Sequence, residues 1–163
     1  MKNTLLLINL SFHIFTAVDA SECVRSKPIS TIKSNSPFKV IKLSKEEWIY
    51  KEQIEIDSNT KVIIENKGCE SYWIEYQILL SNLEAQVSAY NRLIEVIKII
   101  SKLNKSSINL IKVSTILRDT NETKIYKDEN RISENEFGEY FTLTKKKYKD
   151  GSVQFTLSAE IGL

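Results

Sequence analysis

From Glu70 to Leu80, apolar and polar positions alternate. Tyr72, Ile74, Tyr76, Ile78 and Leu80 form one set, and Trp73, Glu75 and Gln77 the other. A period of two places the sets on opposite faces of a β-strand. Upstream, Phe38 to Leu43 alternates with lysines at 39 and 42. Glu46 to Ile56 puts Trp48, Tyr50, Ile54 and Ile56 on one face, with Glu52 as the exception. Lys61 to Glu65 holds three consecutive β-branched residues. The clusters 57–60 and 66–68 carry the Asp, Asn, Ser and Gly that close turns. These segments predict a meander of antiparallel strands, entered through an extended stretch bracketed by Pro28 and Pro37.

After Leu80 the period changes. Ser81-Asn82-Leu83-Glu84 fits a capping box. Leu83, Val87, Tyr90, Ile94, Ile97 and Ile100 follow at three- and four-residue steps, which predicts one helix with an apolar stripe. Residues 107–118 fit a second short helix through Leu110, Val113 and Leu117, while their β-branched content also allows a strand. Residues 119–139 are charged and nearly without core positions, and read as a long mobile connection.

The last two segments, Phe141 to Tyr148 and Val153 to Ile161, flank Lys149-Asp150-Gly151. A two-residue turn would set Phe141 and Leu143 beside Gln154, Thr156 and Ser158. A three-residue loop with Gly151 left-handed sets Leu143 against Leu157 and Phe141 against Ala159. Burial favours the second register. The expected fold is α+β in a ββββ–α(α)–ββ order: an antiparallel sheet with one long helix, alone or with a second short one, on one face. The other face, with Trp73, Glu75 and Gln77, is expected to be wet.

Residues 1–20 have a short basic start, a mostly apolar stretch from Leu5 to Val18, and small residues at Val18 and Ala20. That is the layout of a signal peptide cut after Ala20, leaving 21–163 as a single domain in the periplasm or outside the cell. The apolar stretch is interrupted by Asn9, Ser11 and His13 and falls short of the about 20 residues a span needs. No membrane span is expected after cleavage. Cys23 and Cys69 are the only cysteines. In an exported chain they read first as a disulfide, closing a loop of roughly 47 residues worth about 4 kcal/mol on the chain-entropy view. In a reducing compartment they remain two thiols.

Composition narrows the chemistry. The net charge is +2, with lysines interspersed among acids, and the run Lys145-Lys146-Lys147 lies beside a hairpin turn. No nucleic-acid partner is expected from that distribution. His13 is the only histidine and leaves with the leader. Histidine-based triads, Cys-His pairs and His-bound metal sites then fail, and no phosphate loop or dinucleotide fingerprint is present. Asp128-Glu129-Asn130 lacks the spacing and glycine of an EF-hand. No cofactor or metal is expected. The one carboxylate pair with aromatic neighbours is Glu70 and Glu75, around Tyr72, Trp73 and Tyr76. Their odd spacing sends them to opposite faces of a strand, which argues against a glycoside hydrolase.

Binding is what remains. Trp73, a large aromatic on a polar face between Glu70 and Glu75, is the candidate interface anchor. Alternatively it packs under the C-terminal segment or the helix. The stretch Ile63 to Tyr72, a strand ending in Gly68-Cys69-Glu70-x-Tyr72, resembles a pattern in small bacterial periplasmic proteins of the inhibitor and toxin-immunity kind. The resemblance covers about ten residues of the 163 and carries no functional residue across. It implies a protein partner, neutralised by occlusion without chemistry. The connection 119–139 and the turns near Asn59 and Gly68 are further expected contact regions. The alternatives are an accessory component of an envelope assembly, presenting a sheet edge, and a hydrolase built on carboxylates alone.

Overall fold

The computed structural model describes residues 27–68, 72–83, 87–127, 131–134 and 139–161. The leader, Cys23, Cys69 and Glu70 lie outside them. Four strands come first: β1 (Lys39–Lys45), β2 (Ile49–Asp57), β3 (Thr60–Lys67) and β4 (Tyr72–Leu80). Three helices follow: α1 (Ala89–Leu103), α2 (Leu110–Asp119) and α3 (Glu122–Lys127). Strands β5 (Arg131–Glu134), β6 (Glu139–Lys147) and β7 (Val153–Ile161) complete the chain. All seven strands form one antiparallel sheet in the order β1-β2-β3-β4-β7-β6-β5. The class is α+β.

Alternation decides the layering. Ile54, Val62, Ile64, Ile74, Ile78 and Leu80 are sealed on the inner face. They share one core with Leu93, Ile97 and Ile100 of α1 and with Val113 and Leu117 of α2. The C-terminal hairpin takes the three-residue loop: Leu143 faces Leu157, Phe141 faces Ala159, and Lys145 and Lys147 face Phe155 and Val153. Tyr148 N–H donates to Ser152 O at 2.9 Å, and Gly151 adopts φ 84° at the position where a side chain would be strained.

Two sequence expectations are corrected, and one open choice is decided. The helix does not start at Ser81. The Ser81 N–H is spent on Asn59 O (2.8 Å) and Asn82 takes a left-handed φ of 48°, which holds this stretch out of helix. Ser88 is the cap, and Val87 lies exposed before it. Of the stretch 107–118, Leu110 onward forms the second short helix that the sequence favoured over a strand, with the cap Asn109 Oδ1 accepting the Lys112 N–H at 3.0 Å. Residues 119–139 are not one long connection, because α3 and β5 lie within them and Ile125 is buried in the core. A single apolar residue per turn was too weak a signal for an element that its neighbours hold. Lys145 Nζ donates to Glu122 at 2.6 Å, and Lys112 Nζ reaches Glu139 at 2.7 Å. Among the described residues, no helix is long and apolar enough to cross a membrane.

Tyr76 gives the first testable consequence. It is 1 % exposed, and its hydroxyl makes no well-directed hydrogen bond, although Ser106 lies close by. Burial pushes its ionisation well above the ordinary tyrosine range. A sealed hydroxyl without a partner forfeits its hydration. Tyr76→Phe is therefore expected to leave stability unchanged or raise it by about 1 kcal/mol in a urea titration. A loss of that size would show that the hydroxyl is bonded in solution.

Candidate functional site

The side chains that alternate with the core set point away from the helices, and among the described residues no element covers them. Register arranges them in rows across the sheet. Lys67, Trp73, Glu160 and Tyr140 form one row, each facing the next across a strand pair. Glu65, Glu75, Ser158 and Thr142 form the next. Ile63, Gln77, Thr156 and Thr144 form a third. Period-two alternation over long paired strands is what brings residues from four strands together.

Trp73 is 39 % exposed. Lys67 Nζ sits 4.9 Å from its ring centre, a cation–π contact that braces the indole on its platform. The fixed, exposed ring sits within a patch whose neighbours are amides, hydroxyls and paired charges.

Glu75 faces Glu65 directly across β3 and β4. Like charges at that separation repel, and each carboxylate has its own relief. Gln77 Nε2 donates to Glu75 at 2.6 Å. Lys67 and Lys51 approach Glu65 at 2.6 and 3.1 Å. Desolvation pushes Glu65 up, but the hydrogen bonds and charge of Lys67 and Lys51 outweigh it and hold the carboxyl below its ordinary value. Glu65 is thereby kept ionised, as an electrostatic partner and not a proton donor.

That depression links the patch to acid stability. A lowered folded pKa adds stability that is present above the unfolded value near 4.5 and is lost as pH falls through the folded one. Asp57 behaves likewise at the β2–β3 turn. Burial alone would raise it, yet the Asn59 N–H, Thr60 and the Arg92 guanidinium bring it below its ordinary value. The urea midpoint is expected to fall on acidification below about pH 4.5. Lys67→Ala is expected to flatten that fall, and an unaltered profile would remove Glu65 as its source.

Of the sequence candidates, Trp73 and Glu75 stand together on this face, and Glu70, Cys23 and Cys69 lie outside the described residues. Sequence reading missed Glu65 and Lys67. The available signal was their place opposite Glu75 and Trp73, which needs the β3–β4 register to be known. Among the described residues, no three carboxylate, thiol or imidazole side chains converge as a metal site would require. Compared with protein families, with curated proteins and with solved structures, the chain matches none.

Proposed function

We propose that this is an exported binding protein that neutralises or inhibits a partner protein, a toxin or a cell-wall hydrolase, by covering it with the open face of its sheet. In this reading residues 1–20 direct export to the periplasm or beyond, and Cys23 pairs with Cys69. The observation that carries the proposal is Trp73, a braced and exposed indole on the central strand β4, at one end of a broad polar sheet face. Aromatic anchors ringed by polar groups contribute most of the energy in protein interfaces. Strands β2 to β6 span about 19 Å across, and Trp73 to Leu79 runs about 20 Å along. That footprint of about 400 Å² is half of the roughly 800 Å² that one partner contributes to a standard interface, so a partner seated here also reaches the strand ends.

The face is favoured over the sheet edges because both edges are blunted. Strand β1 carries Lys39, Lys42 and Lys45 and a register break between Lys42 and Ser44. Strand β5 has four residues and a break between Arg131 and Ser133. Charged, irregular and short edge strands resist pairing with another strand. The test is affinity capture from an envelope extract with residues 21–163, repeated with Trp73→Ala and with Val40→Asp on the edge strand. A partner lost with the first and kept with the second supports the face. The reverse pattern transfers recognition to the edge.

A further inference from the structure

On the inner side of the sheet, at the end farthest from the β2–β3 turn, the lead-in segment and the α1–α2 loop enclose a cleft. Its volume is about 270 Å³. That lies just below the range of drug-sized pockets and suits a ligand of amino-acid size. The cleft is built independently of the Trp73 face, so its fate does not depend on the proposal above.

Two lysines line it and no carboxylate does. Lys27 is committed: its ammonium donates to Glu47 at 3.3 Å and lies 5.9 Å from the Trp48 ring centre. Lys105 makes no ion pair among the described residues, and its backbone is fixed, with its N–H donating to Thr31 O at 2.8 Å. The adjacent Ser106 Oγ accepts the Ile108 N–H at 3.3 Å and lies beside the Tyr76 hydroxyl, so its proton can turn either to Tyr76 or to a ligand. One cation beside one hydroxyl donor is a carboxylate-binding pair.

Asn66 supplies the second half of the site. It lines the cleft and is 4 % exposed. Its Nδ2 donates to Ile29 O at 2.9 Å, which fixes the amide orientation and leaves Oδ1 as the acceptor. That Oδ1 has no hydrogen-bond partner. Ile29, whose carbonyl the Asn66 amide holds, lines the cleft beside it with a side chain 62 % exposed. A buried acceptor without a partner, next to a cation with no ion pair among the described residues, calls for a ligand with both an N–H and a negative charge.

We propose that this cleft binds the C-terminal residue of a peptide chain. The terminal carboxylate meets Lys105 and Ser106. The last amide N–H donates to Asn66 Oδ1 as the Ile29 side chain turns aside, its carbonyl still held by Asn66 Nδ2. The experiment is a titration of isotope-labelled residues 21–163 with N-acetylglycine, followed by amide chemical shifts. N-acetylglycine at millimolar concentration is expected to shift Thr31, Lys105, Ser106 and the Asn66 side-chain amide. Acetate, which has no N–H, is expected to bind several-fold more weakly, and N-acetylglycinamide, which has no charge, not to bind. Lys105→Ala is expected to lower affinity about tenfold, while Trp73→Ala leaves it unchanged. The assignment is overturned by an absence of shifts, by equal binding to Lys105→Ala, or by equal binding of the capped or truncated probe.

Discussion

Glu52→Ala is expected to destabilise the protein by about 3 kcal/mol, read as a shift in the urea midpoint at constant slope. Glu52 is 1 % exposed and stands on the inner face of β2, between Tyr50 and Ile54. A carboxylate there is tolerable only if its lone pairs are met. The lead-in segment meets them. Ser30 Oγ donates at 2.7 Å, Thr31 N–H at 2.9 Å and Thr31 Oγ1 at 3.2 Å. Alanine removes the acceptor and strands three donors, two of them on a buried threonine.

The loss extends along the segment. Ile32 is buried beyond the clasp, and Lys33 N–H donates to Leu103 O at 2.9 Å, so the same stretch is pinned to both the sheet and the end of α1. Glu52→Ala is therefore expected to expose residues 27–33 to limited proteolysis before the rest of the fold. Glu52→Gln keeps one acceptor of the same shape and is expected to cost about half as much. If alanine costs less than about 1 kcal/mol, the clasp does not hold the segment.

Trp73→Ala has the second large effect, on binding instead of folding. An aromatic anchor contributes at least about 2 kcal/mol, so the partner's dissociation constant is expected to rise roughly thirtyfold or more. Stability is expected to change by less than about 1 kcal/mol, because the ring is part-exposed and rests on Lys67 without core neighbours of its own. Trp73→Phe keeps a smaller face over Lys67 and is expected to fall between the two. Equal losses of affinity and stability would mean that Trp73 acts by holding the sheet together.

Much of this was legible in the chain because long strands state their faces. The alternation from Tyr72 to Leu80 separates core from open side at every position. The Asp150-Gly151 turn, combined with burial of Leu143 and Phe141, selects one register of the C-terminal hairpin. Glu52 stood out as the one acid on an apolar face. What it binds was illegible, because Ser30 and Thr31 lie 22 and 21 residues away in a stretch with no period. The start of α1 was misplaced for a similar reason. A capping box at Ser81 is locally sound, and it loses to a long-range bond from the Ser81 N–H to Asn59. Strand β5 and helix α3 bury too few apolar side chains to announce themselves, and pairing with β6 supports them.

Trp73 itself reports on whether a partner covers the open face. Trp48→Phe leaves Trp73 as the only indole in the chain. Adding the captured partner to that variant is expected to shift Trp73 emission to the blue and shield it from iodide, as the ring passes from water into an interface. Unchanged emission and quenching at saturating partner would show that the partner does not cover Trp73.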